Sequence, residues 1–306
     1  MMFVTQSDRR KPFEPDQEIQ RLVATVSRER LEQQLITLAV PRHYHAEQEA
    51  NHRIGDWLAQ ELGDLGYRVL FQGSYRNVVA LPRLPAETPL VLVGAHYDTV
   101  PNCPGADDNG SAVVALMECA RVVAGSGSVP PIGFVLFNRE EDGLLGSREF
   151  VAEYDRDKPY PIREVHILEM LGFCSHEEGS QTLPTGLPMN LPVSDRAEFL
   201  AVLSNRHSNR VNDRLMRVAA TYCPGFSVLG LKVKLGVEQF FPVLHRSDHA
   251  PFWESSIPAL MWTDTAEFRN PHYHQPSDTV DTIDFDFLQA GTRLLVARVM
   301  EQGSRG

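Results

Sequence analysis

Apolar positions along the chain fall into two kinds of pattern. The first is helical: Ile54, Trp57, Leu58, Leu62 and Leu65 keep the i, i+3, i+4 spacing of one buried face, and Gly66 follows as a stop signal. Helices are therefore expected over 17–38 and 45–65, then short strands over 67–71 and 77–81 around a turn at Gly73-Ser74. Beyond them the pattern changes to short, continuous apolar runs: Leu90 to Val93, Phe134 to Phe137, Val165 to Leu168 and Ile257 to Trp262. Runs buried on both faces are what parallel strands look like when helices cover the sheet. Helices are expected at 110–124, with Val113, Val114, Met117 and Ala120 on one side, and at 284–302, with Leu288, Leu294, Leu295 and Val299. The alternation predicts an α/β fold, a three-layer α/β/α sandwich around a mixed, largely parallel sheet. No linker separates two cores, so 1–306 reads as one domain with residues 1–44 as an N-terminal helical extension. Residues 171–196 are rich in Gly, Pro and Ser, have no period, and read as a long loop over the active edge.

Composition narrows the partners more than the chemistry. Lys and Arg number 29 against 40 Asp and Glu, a net charge of −11, which argues against nucleic acid or an anionic membrane as a partner. No apolar run is long enough to span a bilayer, and residues 1–15 lack the apolar core of a signal peptide. Cys103, Cys119, Cys174 and Cys223 are scattered, with no CxxC pair, which fits reduced thiols in a cytoplasmic protein. Oligomeric state is left open.

The candidate chemistry lies after the apolar runs. The first is followed by His96-Tyr97-Asp98 and then Gly105-Ala106-Asp107-Asp108-Asn109; the second by Glu140-Glu141; the third by Glu169. The fourth leads to Tyr273-His274 and Asp278-Thr279. In an open α/β sheet, ligands bind at the carboxyl ends of the strands. Singly, each residue has an ordinary reading: a satisfied histidine, a helix N-cap at Asp107-Asp108-Asn109, a solvated acidic pair. Together at one sheet edge they need a cation or a dense set of hydrogen bonds, because unpaired buried carboxylates are costly. His43, His45 and His52 also cluster, but without acidic strand ends around them they read as ordinary exposed histidines.

These motifs, with Ser247-Asp248-His249-Ala250-Pro251-Phe252, resemble the signature of the M28 family of zinc metallopeptidases, from about residue 45 onward. The resemblance implies two zinc ions per chain, or one if the second site is loose. It implies His96, Asp107, Glu141, Glu169 and His274 as metal ligands, with Asp107 as the bridge. Asp98 would orient His96, and Glu140 would be the general base. Such a centre can acidify a shared water and needs no nucleophilic Ser or Cys.

Two departures stand out. Glu169 occupies a position where family aminopeptidases usually carry aspartate, and no tyrosine occurs in 237–246 to steady a substrate oxyanion, leaving His245 as the nearest polar candidate. Asp248, Trp253 and Tyr273 are further candidates for substrate contact. The implied activity is zinc-dependent release of N-terminal residues from a peptide or aminoacyl substrate. Glutaminyl cyclisation is an alternative, although relatives with that activity carry tryptophan where this chain has Tyr273. Carboxypeptidase or dipeptidase action, with Arg246 or Arg269 as a carboxylate anchor, and an inactive binding protein on the same fold are the others.

Overall fold

The computed structural model describes residues 2–185 and 193–303. The central apolar runs pair as expected. β4 (Leu90–His96) lies between β5 (Ile132–Phe137) and β6 (Ile162–Glu169), and β6 is followed by β9 (Ala259–Thr263), all parallel. β2 (Arg68–Gln72) and β3 (Asn77–Leu81) extend one side as an antiparallel hairpin against β5. On the other side β7 (Leu200–Ser204) runs antiparallel to β9 and parallel to β8 (Val228–Val233), and β1 (Met2–Gln6) closes the edge against β8. The described strands make one mixed sheet in the order β1-β8-β7-β9-β6-β4-β5-β3-β2. The middle is parallel, as its continuous apolar runs require; of the outer pairings only β7 with β8 is parallel, and the others are antiparallel.

Alternate residues of the strands face two separate cores, because successive strand side chains point to opposite faces. Val91, Val93 and Ala95 of β4 face a large core under α1 (Gln17–Ala24), α2 (Arg28–Leu38), α3 (Gln48–Asp64), α4 (Ala112–Ala124), α6 (Asn209–Tyr222) and α8 (Phe285–Gly303). Leu90 and Leu92 face a smaller one, where Phe150 and Val151 of α5 (Leu145–Asp157) meet Phe252 of α7 (His249–Glu254). The helix expected over 17–38 is two helices. The chain breaks at Thr25–Ser27, where the Ser27 side chain accepts from Arg30 N as an N-cap. The N-terminal extension is also not wholly helical: its first residues form the edge strand β1. No described helix is long and apolar enough to cross a membrane, and the four cysteines are free.

A buried ionic group ties the sheet to α8. Arg298 donates to Glu164, and the Glu164 carboxylate also receives His166 Nε2 at 3.0 Å. Trp262 Nε1 donates to His166 Nδ1 at 3.1 Å, so the imidazole is neutral with its proton on Nε2. Burial keeps the His166 pKa low, and Arg298 holds Glu164 down to about 2 against the opposing cost of burial. Removing one member strands a buried charge, which costs about 3–5 kcal/mol. Arg298→Met should therefore lose stability of that order at pH 7 in urea unfolding. The deficit should shrink at pH 5, where an unpaired Glu164 takes up a proton in the folded state; an equal deficit at both values would contradict this account.

Candidate metal centre

The strand ends and the turns after them place six titratable side chains together. β4 ends at His96, which is almost wholly buried. Two residues on, Asp98 is also buried; its Oδ1 lies 3.5 Å from His96 Nδ1 and accepts from Glu140 N at 3.1 Å, while its Oδ2 accepts from Glu141 N at 3.3 Å. His96 Nδ1 meets the Asp98 backbone oxygen at 3.3 Å, so Asp98 holds the histidine with its main chain and fixes the Glu140-Glu141 backbone with its carboxylate.

The Asp107-Asp108 turn is held from outside. Asp278 Oδ1 and Oδ2 accept from Asp107 N and Asp108 N at 2.8 and 3.0 Å. Asn109 bridges to β6, donating to Leu168 O and accepting from Met170 N. Gly105 has a positive φ, and a Cβ there would sit 2.4 Å from Asp108 O, so glycine is required.

The carboxylate at the centre of the cluster is that of Asp108, not Asp107. Asp108 Oδ1 lies 3.4 Å from His96 Nε2 and Oδ2 lies 3.1 Å from His274 Nε2. Glu169 Oε1 and Glu140 Oε2 approach His96 Nε2 at 3.5 and 3.9 Å, and Glu141 Oε2 approaches His274 Nε2 at 3.2 Å. Asp107 points elsewhere. Its Oδ1 accepts from Ser111 Oγ and Gly172 N at 2.9 and 2.8 Å, and its Oδ2 from Asn270 Nδ2 at 2.7 Å. It has spent its acceptors on the fold.

The donor set fits divalent cations. His96 Nε2, His274 Nε2 and Glu141 Oε1 are buried without hydrogen-bond partners, which native structures rarely leave unexplained. His96, Asp108 and Glu169 form one group with ligand atoms within 4.8 Å of one another, and Asp108, Glu141 and His274 form a second. Asp108 belongs to both. Nitrogen and carboxylate donors of this kind suit zinc. Burial pulls the His96 and His274 pKa values down, but the facing carboxylates outweigh it. His96 ends well above its ordinary value and His274 at about 10. Burial pushes Glu141 up to about 7 and raises Glu140 well above the carboxylate range. This is a site with more negative charge than two histidines balance.

The expected substrate contacts divide. His245 and Tyr273 line a pocket of about 380 Å³ that also borders Asp108, Glu140, Glu141 and Glu169. The Tyr273 ring stacks on His274 at 3.8 Å, and its hydroxyl accepts from Arg246 Nη2 at 3.3 Å. Trp253 does not face the pocket: it is 5% exposed, belongs to the smaller core, and donates from Nε1 to Ala259 O at 2.8 Å. Asp248 is fully buried, with its pKa pushed up to about 7 by burial, and is not part of the pocket wall. Residues 181–184 and 193 of the long loop do line the pocket; 186–192 lie outside the described residues.

One organiser had no signal in the sequence. Arg42 is completely buried and donates to five backbone carbonyls: Leu38, Val40, Tyr97, Pro104 and Gly105. It joins the end of α2 to the two backbone segments that present His96 and Asp108.

The fold and these clustered ligands define a metallopeptidase. The chain belongs to peptidase family M28, which it matches over residues 77–299. It is 32% identical over 257 residues to the uncharacterized protein YfbL of Escherichia coli, covering 76% of this chain and 75% of that one. It is also 32% identical over 248 residues to the aminopeptidase YwaD of Bacillus subtilis, covering 79% of this chain and 48% of YwaD; the chain thus spans about half of that relative's length. The fold is similar to that of the LapA aminopeptidase of Legionella pneumophila, with a TM-score of 0.75 and 20% identity over 97% of this chain and 78% of LapA.

The two aspartates give a direct contrast. Asp108→Asn should reduce bound zinc, measured by mass spectrometry of the dialysed protein, to less than one ion per chain. Asp107→Asn should retain the wild-type content, at some cost in thermal stability. The reverse pattern would contradict the central place of Asp108.

Proposed function

We propose that the chain is a zinc-dependent aminopeptidase that hydrolyses the first peptide bond of its substrates. The observation that carries this reading is the Asp108 carboxylate, which faces one histidine with each oxygen beside an open pocket. One zinc ion would be held by His96, Asp108 and Glu169, and a second by Asp108, Glu141 and His274. Bound zinc supplies Lewis acidity at the scissile carbonyl and acidifies water at the site.

The protein's own residues do the rest. Glu140 lines the pocket, and its backbone is fixed by Asp98. It takes the proton of the attacking water and returns it to the leaving amine. Burial favours its neutral form, the direction needed by a group that gains and then loses a proton near neutral pH. Ser247 Oγ donates to Glu169 Oε2 at 2.6 Å, leaving Oε1 to face His96. This hydroxyl restrains the longer glutamate side chain. His245 and the Tyr273 hydroxyl border the pocket and are available to the substrate carbonyl oxygen. The similarity to the aminopeptidase YwaD supports action at the amino end.

Glu140→Gln should lower kcat on aminoacyl p-nitroanilides by about 10²–10⁴-fold, the usual worth of a general base. Its zinc content should stay at the wild-type level. Full activity in this variant, or wild-type turnover unaffected by exhaustive chelation, would overturn the reading.

A further inference from the structure

The pocket beside the candidate metal centre is far larger than one amino-acid side chain requires. At about 380 Å³ it exceeds by more than twofold a cavity of about 150 Å³, which already holds benzene. Its floor is the part of the sheet that α5 and α7 leave uncovered. Side chains opposite one another in register share a face, and the row that begins at Glu169 of β6 continues through Thr263 of β9, Ala201 of β7 and Leu229 of β8. The next row runs Met261, Leu203, Leu231 and Val4, reaching the edge strand β1. All but Glu169, Thr263 and Leu229 in these two rows are only half-buried, and all line the pocket. Three interstrand steps of about 4.8 Å make a trough of roughly 14 Å leading away from Glu169.

The chemistry of the floor selects what it can hold. The strands beneath are paired, so their backbone N–H and C=O groups are committed to the sheet. A peptide backbone lying here would lose water without gaining partners, which is costly for each amide. A hydrocarbon chain loses nothing of the kind. Leu183, Val193 and Val243 add further apolar wall, and Gln181, Thr182, Thr265 and Glu267 are polar residues of the same lining.

We infer that the site takes substrates whose first acyl unit bears an extended apolar chain of about eight to ten carbons, longer than any standard side chain. This rests on the amide-hydrolase reading of the metal centre and adds the substrate class. At roughly 1.3 Å of advance per C–C bond of about 1.5 Å, ten carbons match the length of the trough. The carbonyl sits at the carboxylate end and the chain runs over β9, β7 and β8. Hydrolysis adds water across the amide, giving the long-chain acid and the free amine.

A homologous series of α-amino acyl p-nitroanilides with unbranched side chains, from ethyl to decyl, tests this on the zinc-loaded protein below the aggregation limit of each substrate. kcat/KM should rise by about two- to fourfold per added methylene, up to an optimum beyond six carbons; full burial of each CH₂ would give about fourfold, equivalent to about 0.8 kcal/mol. Leu203→Trp and Leu231→Trp, with zinc content as the check of folding, should move the optimum to shorter chains. A rate that peaks at the leucine-sized member and falls beyond it would overturn the inference and leave the hydrolase reading standing. It would mean that another part of the protein or a second copy fills the trough. If no member is cleaved, the hydrolase reading fails, and calorimetry of the free 2-amino acids still decides the trough. Binding should tighten from 2-aminobutyric to 2-aminodecanoic acid, and flat affinities would overturn it.

Discussion

Everything at the functional edge of this molecule answers to one electrostatic constraint: Asp108, Glu140, Glu141 and Glu169 are brought together with only two histidines among them. Carboxylates so placed repel one another, and burial adds a cost for each charge. The raised pKa values of Glu140, Glu141, His96 and His274 are the record of that conflict. Divalent cations would resolve it, and the two oxygens of Asp108, each aimed at a different histidine, are where they would be held.

The fold holds this unfavourable cluster in place with hydrogen bonds to the backbone one step back. Asp98 and Asp278 are carboxylates whose oxygens accept from backbone N–H groups, so each holds a turn in place. Arg42 performs the complementary task, gathering carbonyls from three segments with a single buried guanidinium. A charge-assisted hydrogen bond to a backbone group is worth more than a neutral one, and these bonds are shielded from water. The centre is therefore preorganised by the α/β scaffold, as a reaction that depends on electrostatic placement requires.

Much of this was legible in the sequence, and what was not has physical causes. The buried strands announced themselves because parallel strands in a covered sheet must be apolar on both faces, and the chemistry fell at their ends for the same topological reason. The choice between Asp107 and Asp108 was not legible. Neighbouring residues in an irregular turn point in different directions, and only the path of the backbone through Ala106–Ser111 decides which one faces the histidines. Trp253 misled because proximity along the chain to Ser247-Asp248 says nothing about which face of α7 it occupies; its indole turns into the core. Arg42 left no trace because its partners are carbonyls, which every residue has. β1 was missed because its short apolar run, Met2 to Val4, stands beside the charged and proline-rich residues that follow it, yet Val4 lines the far end of the trough.

The central claim is that Asp108 is shared by two metal ions, one with His96 and Glu169 and the other with His274 and Glu141. Diffraction from zinc-loaded crystals, with data collected on both sides of the zinc absorption edge, tests it most directly. Two anomalous peaks, one against each oxygen of Asp108 and neither touching Asp107, are the predicted result. A single peak, or a peak bound by Asp107, would contradict it.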